Sequence, residues 1–289
     1  MLHGAITALV TPMDNEANID FNALDRLVDF QIENQINGIV VAGSTGESAT
    51  LSIDEKVAIL NHVIARNNLR VKIIANISEA NTKNAVEFTH TLNNIVGIDY
   101  VMAVTPCYMK PTQDGLYSHF AKIAQASVKP VILYNVPGRT SCDLHDVTAL
   151  RLANDFSNIA GLKDATANIE RACYLIKNKP QGFRLFSGDD GTAMAFMLCG
   201  GDGVISVVSN LIPNEMSQMS KLAILGDKLS SIKANNAIMQ LYHDMFIEVN
   251  PIPIKWALYS KGIISTPNLR LPLTTLSEAN QKMVKLNLN

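Results

Sequence analysis

The sequence predicts an α/β protein, a closed (β/α)8 barrel that carries a helical extension at its C-terminal end. Three observations support this. Eight short, almost wholly apolar runs recur at intervals of roughly 20 to 35 residues. The stretches between them have helical spacing and helix-start chemistry. The last quarter of the chain keeps the helices and loses the strands.

The apolar runs are GAITALVTP (4–12), GIVVAGSTGE (38–47), VKIIANIS (71–78), YVMAVTP (100–106), VILYNVPGR (131–139), IAGLKDAT (159–166), FRLFSGDD (183–190) and GVISVVS (203–209). Strands with so little polar alternation belong to a parallel sheet covered on both faces. Between the first two runs, 20–36 places Phe21, Leu24, Leu27, Val28 and Ile32 at helical intervals. Ser52 precedes Ile53, Asp54 and Glu55, a helix start with acids in its first turn. Asp114, Asp143 and Asp189 each stand near the start of a similar segment. Eight strand–helix units close most simply as a TIM barrel. The alternative, an open doubly wound sheet, wants a Gly-rich fingerprint after the first strand, and ALVTPMDNEANID has none. Pro213 opens a helix that Gly226 ends. Beyond it, 228–249, 254–261 and 277–286 read as three helices without intervening strands. The expected division is therefore a catalytic barrel over 1–225 and a helical extension over 226–289.

Composition narrows the function. Against 24 Lys and Arg stand 26 Asp and Glu, a net charge of −2 without like-charge blocks, so neither nucleic acid nor an anionic membrane is an implied partner. The six histidines (3, 62, 90, 119, 145, 243) have no ligand spacing, and no metal site is expected. Cysteines 107, 142, 173 and 199 form no CxxC pair and read as reduced thiols. MLHGAITALV has no signal-peptide pattern, and no run approaches the roughly 18 apolar residues of a membrane span. A soluble, cytoplasmic protein is expected.

In a (β/α)8 barrel the loops after the strands build the active site. The polar groups there are Ser44, Thr45, Glu47, Tyr108, Tyr134, Arg139, Lys163 and Asp164. Lys163 is the odd member, an ammonium in an otherwise apolar strand. Strand alternation puts Ile159, Gly161 and Lys163 on one face and Ala160, Leu162 and Asp164 on the other. If the second set packs outward, Lys163 points into the barrel, with Gly161 leaving room beneath it. A buried lysine loses its charge more easily, and a neutral amine attacks carbonyls to form a Schiff base. The alternative reading is a lysine paired with Asp164 or another acid. Ser44 and Thr45 lie in GSTGE, a carboxylate-binding turn or an ordinary strand–helix turn. Tyr134 is a proton-shuttling phenol or a core residue. Arg139 is a carboxylate fork or a surface residue. Phosphate is disfavoured by Asp189-Asp190 after the seventh strand.

Seven segments in order, GSTGES, TPCYMKP, YNVPGRT, GLKDAT, SGDDGTA, GGDGVISV and NPIPIKWAL, resemble the dihydrodipicolinate synthase/N-acetylneuraminate lyase family over essentially the whole chain. YNVPGRT and GGDGVISV resemble its dihydrodipicolinate synthase branch. The resemblance implies a cofactor-free class I aldolase that condenses pyruvate with L-aspartate 4-semialdehyde in lysine and diaminopimelate biosynthesis. It implies that Lys163 forms the pyruvate imine and that the Ser44-Thr45 turn binds the pyruvate carboxylate, with the Ile205 carbonyl nearby. Tyr134, Thr45 and Tyr108 would relay protons, Tyr108 reaching into a neighbouring subunit of a homotetramer. Arg139 would take the carboxylate of the second substrate, and Gly188 and Asn250 would be further substrate-binding positions. Ser44 stands where the family usually has threonine, which keeps the hydroxyl. At the positions where lysine-inhibited members bind lysine, Ser48 and Ala49 match. Ile53, Lys56, Ala80, Asn84 and Cys107 do not, and weak or absent lysine inhibition is expected. The alternatives are another pyruvate aldolase of the family, such as an N-acetylneuraminate lyase or 2-keto-3-deoxy-sugar-acid aldolase, and an inactive keto-acid-binding paralogue.

Overall fold

The computed structural model describes residues 2–288. Eight parallel strands close a barrel in sequence order: β1 (Gly4–Ala8), β2 (Gly38–Val41), β3 (Lys72–Ile77), β4 (Tyr100–Val104), β5 (Val131–Asn135), β6 (Ile159–Asp164), β7 (Arg184–Ser187) and β8 (Gly203–Ser206), with β8 pairing back to β1. Each lies inside one of the eight apolar runs.

Alternation along the strands divides the apolar residues into two cores. Leu2, Ile6, Val40, Ile74, Met102, Ile132, Phe186 and Ile205 fill the barrel interior. Ala5, Ile39, Ile73, Val101, Leu133, Leu162 and Leu185 face outward and pack on the helices. The alternation fails once. Ile159 joins the outer core instead of sharing the inner face with Gly161 and Lys163, because the β5–β6 register slips at this point: Val131 pairs with Ile159, yet Ile132 pairs with Gly161. One extra residue in one strand resets which side chains face in. From Gly161 onward the sequence expectation is met. The role expected of Gly161 is not. A Cβ there would meet the Arg184 carbonyl oxygen of β7 at 2.6 Å, so the glycine permits strand contact. The space around Lys163 comes from Gly188, where a Cβ would lie 3.0 Å from Lys163 Cε.

The helices are α1 (Phe21–Glu33), α2 (Ile53–Asn67), α3 (Thr82–Asn93), α4 (Gln113–Ala126), the short α5 (Pro137–Thr140), α6 (Asp146–Asp155), α7 (Ile169–Asn178), α8 (Ala193–Leu198), α9 (Pro213–Ile224), α10 (Lys228–Asp244), α11 (Ile252–Ser260) and α12 (Glu278–Asn287). Asp20 caps α1 by accepting from the Ala23 N–H at 2.9 Å, and Ser52 and Glu55 form a complete capping box on α2. Of the three aspartates expected near helix starts, Asp114 lies in the first turn of α4, which Thr112 caps. Asp189 accepts from the Thr192 N–H just before α8, whereas Asp143 lies outside α6 and binds Arg171.

The expected helix over 228–249 stops at Asp244, and the next begins at Ile252 rather than 254. Residues 245–251 turn back over the barrel mouth. Pro251 stands at the N-cap of α11 and Pro253 in its first turn, where a missing N–H costs nothing, so the prolines mark the start of the new helix. This turn carries Phe246 and Asn250 to the site described next.

Candidate active site

At the C-terminal ends of the strands lies a cavity of about 130 Å³, lined by Ser44, Thr45, Tyr134, Arg139, Lys163 and Gly188 among others. Lys163 is 5% exposed. In register it lies between Tyr134 on β5 and Phe186 on β7, and its Nζ is 4.1 Å from the centroid of the Tyr134 ring. A cation over an aromatic face is mildly favourable, yet no carboxylate pairs with this amine among the described residues.

The pairing with Asp164 left open by the sequence does not exist. Asp164 points to the opposite face of β6, where it accepts from Asn135 Nδ2 at 3.1 Å and from Thr166 Oγ1 at 2.5 Å. Arg171 on α7 supplies its countercharge at 3.6 Å and also pairs with Asp143 and Asp146. Burial pushes the Asp146 carboxyl above its usual range despite Arg171.

The GSTGE turn is held from several sides. Thr11 Oγ1 donates to the Gly46 carbonyl at 2.8 Å, and a Cβ on Gly46 would lie 3.0 Å from the Leu9 carbonyl, so a larger residue would push the turn off the β1 end. Glu47 adopts a left-handed backbone at φ 58°. Its carboxylate anchors that conformation: Oε1 pairs with Lys255 Nζ at 2.7 Å, and Oε2 accepts from the Arg270 N–H at 3.0 Å. Both side chains of this ion pair are fully buried. Burial lowers the Lys255 pKa, with Glu47 acting in the opposite direction.

Thr45 is buried, and its Oγ1 accepts from Asn250 Nδ2 at 3.0 Å. The Asn250 carbonyl in turn accepts from Arg139 at 2.8 Å. At the other rim, Asp190 is buried after β7 and accepts from the Val207 and Val208 N–H groups, each at 3.0 Å. Burial raises its pKa. This fixes the backbone just beyond Ile205, whose side chain lies in the inner core and not on the cavity wall.

Of the residues singled out from the sequence, Lys163, Tyr134, Thr45, Ser44, Arg139, Gly188 and Asn250 line one cavity. Tyr108 does not. It lies in the loop after β4 at φ 71° and is 90% exposed, outside the cavity of its own chain. A second hollow of about 320 Å³ adjoins the first and is lined by Ser48, Ala49, Cys107 and Pro272, among others. Three wall and support residues were not singled out for the site from the sequence: Asp189, Phe246 and Lys255, the buried partner of Glu47. A lysine two residues after NPIP was the available signal for the last. Among the described residues no group of three or more His, Cys, Asp and Glu is placed to hold a metal ion, and no helix is long and apolar enough to cross a membrane.

The model of the dihydrodipicolinate synthetase family matches residues 1–289. A 4-hydroxy-tetrahydrodipicolinate synthase from Laribacter hongkongensis is 49% identical over 285 residues, 99% of this chain and 97% of the relative. The corresponding synthase from Thiobacillus denitrificans is 45% identical, covering 98% and 94%. Among solved structures, the chloride-inhibited dihydrodipicolinate synthase from Acinetobacter baumannii complexed with pyruvate superimposes with a TM-score of 0.97 at 43% identity. That match covers 100% of this chain and 98% of the other. With a matching barrel and this likeness along its whole length, the chain belongs to the dihydrodipicolinate synthetase family.

Proposed function

We propose that the chain is a Schiff-base lyase that condenses pyruvate with L-aspartate 4-semialdehyde to 4-hydroxy-tetrahydrodipicolinate, a step of lysine and diaminopimelate biosynthesis. One observation carries the chemistry: Lys163 is buried in the cavity without a carboxylate partner. An amine so placed is not tied up in an ion pair, and it faces the cavity where a keto acid's carbonyl would have to sit for Schiff-base formation.

In this reading the Lys163 amine adds to the pyruvate ketone and water leaves, giving an imine whose carboxylate rests in the Ser44-Thr45 turn. The imine carbon draws electrons from the adjacent methyl group, so a methyl proton leaves and an enamine forms. The enamine carbon attacks the aldehyde of the second substrate. That substrate's amine then displaces the Lys163 amine and closes the ring. Every step moves a proton a short distance, which suits Tyr134 and Thr45 hydroxyls. The imine is itself the electron sink, so no cofactor enters. Arg139 takes the carboxylate of the aldehyde substrate, the Ile205 carbonyl lies by the keto acid, and Gly188 and Asn250 complete the binding positions.

The 90% exposure of Tyr108 supports its acting in a neighbouring chain, as the third hydroxyl of the relay. A homotetramer in the cytoplasm, with residues 226–289 as an extension of a catalytic barrel, belongs to the same proposal.

Borohydride reduction in the presence of pyruvate tests it. Peptide mass spectrometry should find the reduced adduct on Lys163, and Lys163→Ala should give none. A folded wild-type protein that yields no adduct refutes the mechanism. A preference for sugar-derived aldehydes over L-aspartate 4-semialdehyde would instead assign another aldolase specificity, against the guanidinium of Arg139 at the cavity.

A further inference from the structure

We propose that Asn250 is a positioning residue that fixes which way the Thr45 hydroxyl points, and thereby the direction in which the relay passes a proton. The proposal rests on the Schiff-base reading above and adds a residue that acts through another.

A threonine hydroxyl donates one hydrogen bond and accepts two. Asn250 Nδ2 donates to Thr45 Oγ1 at 3.0 Å, so the Thr45 hydrogen cannot lie on that line. Thr45 is 3% exposed, which leaves it little bulk water to bond. The remaining direction is into the cavity it shares with Tyr134 and Lys163. Reversing the amide would turn Oδ1 toward Thr45 and pull the hydroxyl hydrogen out of the cavity. It would also leave both amide N–H groups without an acceptor, whereas the present arrangement leaves Oδ1 as the buried orphan.

The contact is held on both sides. The Asn250 carbonyl accepts from Arg139 at 2.8 Å. Five residues on, Lys255 forms the buried pair with Glu47, which is two residues beyond Thr45. Turn 44–47 and segment 250–255 are thus tied at two points, with Arg139 holding the Asn250 backbone besides, and Thr45 and Asn250 shift together or not at all. An amide has no charge to gain or lose, so the bias on Thr45 is independent of pH in the native chain.

Replacing Asn250 by Asp keeps the shape and makes the bias titratable. Ionised, the new carboxylate can only accept; it captures the Thr45 hydrogen and turns the relay away from the cavity. Protonated, it donates to Thr45 and restores the native direction. Burial raises the pKa of such a carboxyl. The charged or titratable groups around it are Arg139, the Glu47–Lys255 pair, Lys163, Tyr134 and Asp189.

The readout is deuterium exchange into the pyruvate methyl group in D2O without aldehyde, followed by NMR between about pH 5.5 and 9. It is expressed as the ratio of variant to wild type. The Asn250→Asp ratio should lie about 100-fold down at the alkaline end, within the usual range for a lost proton transfer, and climb at least about tenfold on acidification. Asn250→Ala should show a deficit that does not change with pH. A flat Asp ratio overturns the proposal. A ratio that climbs toward high pH shows that Thr45 donates to Asn250, the opposite direction, and also overturns it. Borohydride trapping of each protein at saturating pyruvate separates the two levels. Adduct formation with a flat ratio sinks this inference alone, whereas no adduct in the wild type removes the Schiff-base reading and this proposal with it.

Discussion

Replacing Lys255 by Met should cost the fold more than any other single side-chain exchange near the site. The change removes an ammonium 2.7 Å from Glu47 in a place where both partners are fully buried. At that distance two unit charges attract by about 6 kcal/mol at an effective dielectric of about 20. Much of this offsets the desolvation of the pair, but in the single variant Glu47 stays desolvated with only the Arg270 N–H to bond. Breaking a buried pair in this way typically costs about 3–5 kcal/mol. For a domain of this size, that lowers the unfolding midpoint by about 10 °C, which thermal circular dichroism reads directly. Glu47→Gln/Lys255→Met, which removes both charges, should regain most of the loss. Glu47→Gln alone carries a pH signature. The Lys255 pKa is already lowered by burial, with Glu47 opposing, and losing Glu47 lowers it further. The unfolded chain then binds more protons than the folded one as pH approaches the ordinary lysine range. The variant should therefore gain stability as pH rises. A Lys255→Met shift under about 2 °C, or a double variant as unstable as the single one, refutes the assignment of this pair as the anchor of the turn.

Gly188→Ala places a methyl 2.7 Å from Ala165 Cβ and 3.0 Å from Lys163 Cε; it should displace the lysine and lower kcat about 100-fold with an unchanged circular dichroism spectrum. Arg270 holds Glu55 at a pKa of about 2, below the ordinary glutamate value of 4.5, so the native pair contributes about 1–2 kcal/mol above the unfolded pKa, after solvent screening. That contribution should disappear as pH falls from about 4.5 to 2, and Arg270→Gln should abolish this part of the acid dependence in a urea titration. L-Lysine should inhibit weakly or not at all: Lys56 pairs with Glu79 at 2.9 Å, which occupies a carboxylate an incoming ammonium would use, and Asn84 adds none. Half-inhibition at submillimolar lysine would contradict this.

The barrel was legible in the sequence because strands covered on both faces leave nearly unbroken apolar runs, and all eight strands fall within them. Lys163 was legible for the same reason, as a charge inside such a run. The residue roles came with the family resemblance and not with periodicity. The slipped register at Ile159 was invisible, since a one-residue bulge depends on the neighbouring strand and leaves the composition unchanged. The end of α10 was missed because Phe246, Ile247 and Val249 continue an acceptable helical pattern; what takes Asn250 out of it is a contact with Thr45, 205 positions away in the chain. Glu47 and Lys255 are separated by 208 positions, and nothing local to either segment marks them as partners.

The inner core has a consequence for traffic. Ile6, Ile74, Ile132 and Phe186 plug the barrel below Lys163, each at most 1% exposed. The chamber is therefore a blind well. Whatever reacts at the bottom arrives through the top and departs the same way. Two reactants cannot pass each other there. If Lys163 forms the imine as proposed, the keto acid has to be seated before the aldehyde descends, so the architecture imposes a queue: an aldehyde that comes first blocks the way down among the described residues.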